Sequence, residues 1–306
     1  MPSVIANGLQ IEYEASGPEN GPAVVMIMGL AAQLTFWPPA LIQSLNEAGF
    51  RTIIFDNRDI GKSEKIHNKK APSPFFQILG ARMKVIGFAP YSLQDMAKDT
   101  KSLLDALGIP EAHIVGVSMG GMIGQVLAAM YPERIKSFTA VMSSTNNPKL
   151  PRAQKEVAKV LISPPKPSAS PEEALDRSMR VWDLIGTKNS GSSREELRAR
   201  LTAAYERSNY PSGVRRQLAA IIESGDLREQ WTKNVTAPTL VIHGKDDPLA
   251  HYLGGVDISD NIEGSHLELI EGMAHDLPKK FLPRLTSILI DHLTTVEKEA
   301  RKARAA

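Results

Sequence analysis

Ser118 is the residue best placed for covalent chemistry, because it stands at the centre of the motif Gly116-Val117-Ser118-Met119-Gly120. An apolar run typical of a buried strand precedes the motif, and a helical pattern follows it. In this context, G-x-S-x-G presents a nucleophilic serine on a sharp, strained turn, for which the glycines leave room. Small residues that only pack a helix against a sheet would explain the glycines but not the serine.

A serine hydroxyl is a weak nucleophile and needs a base, which is itself held by an acid. In this architecture the two partners follow the serine in the order acid, then histidine. The acid is expected in the loop 243–248 after a predicted strand, where the spacing permits either Asp246 or Asp247. The histidine is expected after the last predicted strand, where His275 stands.

Other candidates for the acid and the base do not meet these positional requirements. His243 ends the strand next to the acid loop instead of facing it from another strand, so packing or a loop hydrogen bond is its favoured role. The loop 143–147 is an alternative place for an acid, but it contains no carboxylate. The remaining histidines open strands or lie in loops or on a helix: His67, His113, His251, His266 and His292.

Acyl transfer also requires two backbone N–H groups directed at the developing oxyanion. The amide of Met119, the residue after the serine, is one of them. The second is expected from the loop after the strand 23–28, where Gly29 allows a sharp turn and Leu30 presents its amide.

The strands that must position these residues are short, nearly unbroken apolar runs, which are typical of parallel strands buried on both faces. They alternate with helical patterns, so the sequence predicts βαβ units and an α/β fold with a mostly parallel sheet. A hairpin with Asn7-Gly8 at its turn opens the chain. The predicted strands are 3–6, 9–14, 23–28, 52–55, 113–117, 137–142, 239–242 and 266–270. The predicted helices are 38–48, 92–107, 120–130, 172–184, 194–207, 213–222 and 280–297.

The strand pattern stops over residues 144–235, which hold a Pro/Ser-rich stretch at 163–171 and helical patterns. We call residues 144–235 the helical insertion, and we predict that residues 1–143 and 236–306 form one core around it. Residues 64–91 are longer than a usual connection and contain an apolar stretch at 75–83, for which a second lid element and a core-packing helix are equally good interpretations.

Apolar and aromatic residues near the predicted site indicate a pocket for an apolar acyl group. Met28, Gly29 and Trp37 are the predicted substrate-binding residues beside the nucleophile. Aromatic residues of the helical insertion are further candidates: Trp182, Tyr205 and Tyr210.

The charged run after the strand 52–55 contains Asp56, Arg58, Asp59 and Ser63. A second charged site is one interpretation of this run. The favoured interpretation is a self-paired Arg–Asp turn that stiffens the loop without touching substrate.

Composition excludes several other classes of function. The 306 residues carry 36 Lys and Arg against 34 Asp and Glu, a net charge of +2, which is too small for a nucleic-acid-binding surface. The absence of cysteine excludes disulfide scaffolds, thiolate metal sites and cysteine nucleophiles. The amino terminus lacks a signal-peptide pattern and no stretch reaches about 18 apolar residues, so a cytoplasmic protein without a membrane partner is expected.

These motifs together resemble the α/β-hydrolase superfamily. Within it, the run D-x-R-D-x-G-x-S and Met-Gly in place of the commoner His-Gly are similar to the bacterial esterase branch that includes aclacinomycin methylesterases. The resemblance covers residues 11–293 and rests on Met28-Gly29, Trp37-Pro38, residues 55–63, Gly116–Gly121, residues 243–248 and Gly272–His275.

The resemblance implies that Asp247, three residues after the loop glycine, is the acid, and that the helical insertion is a cap over the active site. It implies hydrolysis of a small ester through a Ser-His-Asp triad, with no metal or organic cofactor. Met28 replaces the family's usual histidine, so the backbone amide alone must serve there. The resemblance does not decide between a monomer and a homodimer.

Alternative reactions for the same triad are carbon–carbon bond hydrolysis and cofactor-free perhydrolysis. Haloalkane dehalogenases and epoxide hydrolases carry aspartate where this chain has Ser118, so they are disfavoured. A non-catalytic ligand receptor on a hydrolase scaffold is the alternative from another functional class.

Overall fold

The computed structural model describes residues 1–67, 69–73, 76–77, 79–80, 83, 87–162 and 170–305. Its strands are β1 (Ser3–Ala6), β2 (Leu9–Ser16), β3 (Ala23–Ile27), β4 (Arg51–Phe55), β5 (Ala112–Val117), β6 (Ile135–Val141), β7 (Thr239–Gly244) and β8 (His266–Ile270). Its α-helices are α1 (Pro39–Glu47), α2 (Leu93–Ala106), α3 (Met119–Met130), α4 (Lys155–Ile162), α5 (Pro171–Ile185), α6 (Arg194–Arg207), α7 (Pro211–Ser224), α8 (Leu253–Asp260) and α9 (Leu282–Ala305).

The strands form a single sheet in the order β1-β2-β4-β3-β5-β6-β7-β8. β1 and β2 are antiparallel at one edge, and the strands from β4 to β8 in this order are parallel. The predicted α/β fold with a mostly parallel sheet is confirmed. The opening hairpin also has its predicted turn, since Asn7 and Gly8 both adopt positive φ.

Helices cover both faces of the sheet because successive strand residues point to opposite sides. On β3, Val25 and Ile27 belong to one apolar cluster, which α2 and α3 cover. Val24 and Met26 belong to the other cluster, which contains residues of α1, α9 and the helical insertion. The apolar run of β3 therefore reflects burial on two faces.

The helical insertion contributes α4 to α7 between β6 and β7. Helices α5, α6 and α7 were predicted, whereas α4 was not. Another helix missing from the prediction is α8, a short helix with the glycine pair Gly254-Gly255, and glycine weakens a helical pattern. Residues 163–169 of the predicted Pro/Ser-rich stretch lie outside the described residues, as do residues 75, 78, 81 and 82 of the apolar stretch.

The prediction of a self-paired Arg–Asp turn in the charged loop after β4 is wrong. The charged side chains of this loop pair with residues of other elements. Arg58 forms a bidentate pair with Asp99 of α2 at 2.5 and 2.6 Å. Asp59 instead receives two hydrogen bonds from Arg216 of α7, both 2.8 Å long. The loop is thus held by partners from two separate helices, which local spacing in the sequence does not reveal.

No α-helix in the described part of the chain combines the length and the apolar character needed to cross a membrane.

Candidate active site

Ser118 lies between β5 and α3 with φ 54° and ψ −118°. This backbone conformation is strained for a residue with a side chain. The surrounding hydrogen bonds hold it: the Ser118 amide donates to the Val141 carbonyl at 2.9 Å, and the Ser143 hydroxyl donates to the Ser118 carbonyl at 2.7 Å. The sheet and the first turn of α3 therefore fix the serine in the conformation that its motif predicts.

The glycines beside Ser118 allow α3 to approach the sheet closely. A β-carbon at Gly120 would lie 2.0 Å from the Ile27 carbonyl oxygen, and one at Gly116 would lie 2.3 Å from the Gly120 carbonyl oxygen. Neither backbone atom can yield as a flexible side chain could. The tight turn at the serine consequently depends on glycine at both positions.

Ser118, His275 and Asp247 form a continuous chain of hydrogen bonds. His275 Nε2 lies 3.1 Å from Ser118 Oγ, and His275 Nδ1 lies 2.6 Å from Asp247 Oδ2. Asp246, the other candidate acid, is exposed, and its amide bonds to the Met273 carbonyl. In this arrangement the imidazole can accept the serine proton while the Asp247 carboxylate holds the opposite nitrogen.

The Asp247 carboxylate is buried yet surrounded by donors. Its Oδ1 accepts hydrogen bonds from the amides of Leu249 and Ala250 at 2.9 and 2.8 Å. Burial alone would raise the pKa of Asp247, but the interactions with His275 and His243 outweigh it and hold this pKa well below its usual range. The acid is therefore an anion at neutral pH.

His243 makes the loop hydrogen bond predicted for it and also reaches the acid. Its Nε2 lies 2.8 Å from the Ala250 carbonyl oxygen and 3.3 Å from Asp247 Oδ2. The imidazole is fully buried, and its Nδ1 has no hydrogen-bond partner among the described residues. Because Nε2 faces acceptors, it must carry a hydrogen, which makes His243 a hydrogen-bond donor toward Asp247.

The loop that carries His275 is bonded to the end of α5 in the helical insertion. The His275 amide donates to the Ile185 carbonyl at 2.9 Å, and the Ala274 amide donates to the Thr187 hydroxyl at 2.9 Å. Thr187 also donates through its amide and its hydroxyl to the Asp276 carboxylate. Burial raises the pKa of Asp276, although these hydrogen bonds oppose the shift.

The predicted oxyanion amides belong to Leu30 and Met119. Neither amide donates a hydrogen bond to another residue in the part of the chain that the structure describes. Gly29 lies against Ser118, since a β-carbon there would be 3.1 Å from Ser118 Cβ. The next residue, Ala31, has φ 64° and donates its amide to Gln217 of α7 at 3.2 Å. Leu30 and Met119 line the same cavity as Ser118, and within the described chain their amides are left for a ligand, as oxyanion binding requires.

A cavity of about 2380 Å³ opens over Ser118 between the sheet and the helical insertion. All predicted site residues except the buried Asp247 line it: Met28, Gly29, Leu30, Trp37, Ser118, Met119 and His275. The aromatic candidates of the insertion line it as well: Trp182, Tyr205 and Tyr210.

The family model described as "alpha/beta hydrolase fold" matches residues 22–278, most of the chain and all three residues of the hydrogen-bonded chain. The protein belongs to the α/β-hydrolase family. The α/β-hydrolase is 25% identical over 293 residues to rhodomycin D methylesterase DauP of Streptomyces sp. strain C5, covering 90% of this chain and 91% of the relative. The predicted resemblance to bacterial methylesterases is confirmed.

Other relatives and solved structures carry the names of other hydrolases. The 3-oxoadipate enol-lactonase 1 of Acinetobacter baylyi is 24% identical, with 90% of this chain and 91% of that protein covered. Among solved structures, a thermophilic esterase from Thermogutta terrifontis has the same fold, with a TM-score of 0.72, 19% identity, and 96% and 98% of the two chains covered. The relatives support a hydrolase, but their names differ in substrate. They therefore leave the substrate class of this α/β-hydrolase open.

The contacts that three residues make with this site were not predicted from the sequence. Ser143 was noted only as part of a loop without a carboxylate, and Thr187 was not considered. The roles predicted for His243 were packing or a loop hydrogen bond, without a contact to the acid. The position of His243 four residues before Asp247 is the one signal in the sequence that could have indicated this contact.

Proposed function

We propose that this α/β-hydrolase cleaves carboxylic esters through an acyl-enzyme intermediate on Ser118. The observation that carries the proposal is the unbroken hydrogen-bonded chain from Ser118 Oγ through His275 to Asp247. Ser118 faces a cavity that Leu30 and Met119 also line, and the amides of these two residues have no partner within the described chain. Nucleophile, base, acid and oxyanion donors are the complete set that acyl transfer needs.

In the first step, Ser118 Oγ attacks the ester carbonyl carbon while His275 Nε2 takes the hydroxyl proton. The Leu30 and Met119 amides donate to the oxyanion that develops, and each such donor lowers the barrier by roughly 3 to 4 kcal/mol. Asp247 stabilises the imidazolium and holds its orientation. The imidazolium then returns its proton to the alkoxide, which leaves as an alcohol.

In the second step, His275 Nε2 takes a proton from water, and the hydroxide formed attacks the acyl-enzyme carbonyl. Attack forms a tetrahedral intermediate. Its collapse releases the carboxylic acid while His275 Nε2 returns the proton to Ser118 Oγ. The helical insertion acts as a cap, since its aromatic residues line the cavity opposite the serine loop and separate a small apolar acyl group from bulk water.

The proposal is tested by hydrolysis of 4-nitrophenyl esters of increasing acyl length. The wild-type chain should turn them over, and Ser118→Ala and His275→Ala should lower kcat by roughly 10⁴-fold or more, because these residues act as a unit. A fluorophosphonate should label Ser118 in the wild type, as read by mass spectrometry. A wild-type rate equal to that of Ser118→Ala would refute ester hydrolysis, and preferential turnover of a vinylogous diketone would favour carbon–carbon hydrolysis.

The assignment of the acid has a matched control in the neighbouring aspartate. Asp247→Asn should cost roughly 10⁴-fold in kcat, because the amide favours the wrong imidazole tautomer. Asp246→Asn should retain wild-type activity, since Asp246 is exposed and does not contact His275. The reverse result would exchange the two assignments.

A further inference from the structure

Three arginines of the helical insertion reach loops of the core, and one of them differs from the others. Arg207 pairs with the buried Asp56 at 2.7 Å, and Arg216 pairs with the buried Asp59 at 2.8 Å. Arg200 on α6 has no carboxylate partner in the described part of the chain. It lines the cavity above Ser118, whereas Arg207 and Arg216 do not.

Arg200 is held in place by groups that do not neutralise it. Its Nη2 donates to the Phe36 carbonyl at 2.7 Å, and its guanidinium carbon lies 4.5 Å from the centroid of the Phe36 ring. The Trp182 ring, stacked on Phe36, is 5.9 Å from the same carbon. One of the five N–H donors of a guanidinium is thereby used, and the orientation of the plane is fixed.

The surroundings of Arg200 leave its positive charge poorly compensated. Burial lowers the pKa of Arg200, and the carboxylate that opposes this shift belongs to Asp276. Asp276 follows the catalytic histidine in the chain and is itself hydrogen-bonded to Thr187. Within the described chain the guanidinium is thus partly desolvated, subject to the charge of Asp276 and without an ion pair, which is costly unless a ligand supplies the opposite charge.

We propose that Arg200 binds a carboxylate on the ester substrate. This inference rests on the proposed ester hydrolysis and narrows it to esters whose apolar chain also carries an anionic group, such as half-esters of dicarboxylic acids. The fixed guanidinium plane suits two parallel hydrogen bonds to a carboxylate, and the aromatic rings around it suit the apolar chain between the two ends. A cationic or purely apolar ester would leave Arg200 unpaired.

The test compares mono-4-nitrophenyl esters of adipate, pimelate and suberate with the neutral methyl 4-nitrophenyl diesters of the same acids. The measured quantity is the ratio of kcat/KM for the anionic ester to kcat/KM for its neutral counterpart, because a general loss of activity cancels in this ratio. The wild type should favour at least one anionic ester by roughly tenfold or more. Arg200→Gln should bring that ratio close to one, and Arg200→Lys should restore part of it.

Arg198→Gln is the matched control, because Arg198 lies on the same helix, outside the cavity lining, and pairs with Glu172 and Asp176 at the surface. It should keep the wild-type ratio. A wild-type ratio of one at every chain length, or an Arg200→Gln ratio equal to that of the wild type, would overturn the inference.

A binding measurement separates this inference from the proposed function. Adipate is titrated calorimetrically into Ser118→Ala and into Ser118→Ala/Arg200→Gln, neither of which needs to turn over an ester. Binding that is lost in the double variant supports the carboxylate site even if the wild type hydrolyses no ester. Equal binding, or none to either variant, contradicts it.

Discussion

His243 contacts Asp247 through the same Oδ2 oxygen that receives the His275 hydrogen bond. Because Nε2 also faces the Ala250 carbonyl, one imidazole ties the acid to the loop that follows it. The two amides of that loop bond to the other carboxylate oxygen. In the proposed mechanism, His243 therefore fixes the orientation of the acid and leaves proton transfer to His275.

We expect His243→Leu to lower kcat by about tenfold or more with little change in KM, because the acid loses a positioning donor while the substrate cavity keeps its lining. His243→Gln, whose amide nitrogen can occupy the position of Nε2, should recover most of the loss. The NMR resonance of the proton between His275 and Asp247 should shift in the leucine variant and return in the glutamine variant. Equal kcat for all three proteins would assign His243 to packing alone.

His113 provides a second expectation at the level of one residue, concerning stability instead of catalysis. It is fully buried on β5 between Ser137 and Glu297. Burial lowers its pKa to about 4, helped by Lys136 and His292, although Glu297 opposes the shift. The unfolded chain takes up this proton near pH 6.5, so the unfolded state binds more protons between these two values.

The stability that a neutral His113 contributes should therefore be lost as the pH falls from about 6.5 to about 4, by roughly 3 kcal/mol in all. His113→Gln should make the free energy of unfolding less dependent on pH within this interval. Urea unfolding of both proteins at several pH values measures the difference. Parallel profiles would show that His113 titrates alike in the folded and unfolded chains.

Residues differ in how far their role could be predicted from the sequence. Ser118 and His275 follow from a motif and from strand order, because both stand at the carboxyl ends of recognisable strands. Spacing could not separate Asp246 from Asp247, because both stand in the same loop after the strand. Which of the two side chains turns inward depends on the conformation of that loop. Thr187 could not be predicted at all, because its contacts with the histidine loop join segments 87 and 89 residues apart.

At the scale of elements, the strands are the most predictable part of the fold. Burial on both faces gives them continuous apolar runs, and the observed bounds differ from the predicted ones by no more than two residues at either end. The pairing between helices and loops was not predictable. It depends on ion pairs such as Arg216–Asp59, whose partners come from α7 and the loop after β4.

This ion pair makes a testable contribution to the attachment of the insertion. Arg216→Met should destabilise the protein by about 3 kcal/mol or more, since Asp59 is completely buried and would keep an unpaired charge. Asp59→Asn/Arg216→Met should recover a large part of the loss. Urea unfolding of the single and double variants gives the coupling energy, and additive effects would argue that the two side chains do not interact.

At the scale of the whole molecule, the insertion shares its core with the sheet. Leu175, Met179 and Leu201 of the insertion belong to the same apolar cluster as Val24 and Met26 of β3. The boundaries of the insertion are a prediction from the missing strand pattern. How closely the two parts pack was not predictable, because helical periodicity shows that a face is apolar but not which surface covers it.

Such a shared core should unfold in one cooperative step. In the variant Trp37→Phe/Trp231→Phe, Trp182 of the insertion is the remaining tryptophan. Its fluorescence follows the insertion, while far-ultraviolet circular dichroism follows the whole chain. The two thermal transitions should have the same midpoint. Loss of the fluorescence signal at a clearly lower temperature would mean that the insertion unfolds first.

The hydrogen bonds that the His275 loop donates to residues 185 and 187 limit how this scaffold can be recombined with its relatives. A chimera with the insertion of a relative would also replace residues 185 and 187, which accept the hydrogen bonds of the His275 and Ala274 amides. Crossover points that transfer residues 185–187 together with 274–276 would keep donor and acceptor matched. Specificity and catalytic rate are for this reason expected to be inherited together when such segments are exchanged.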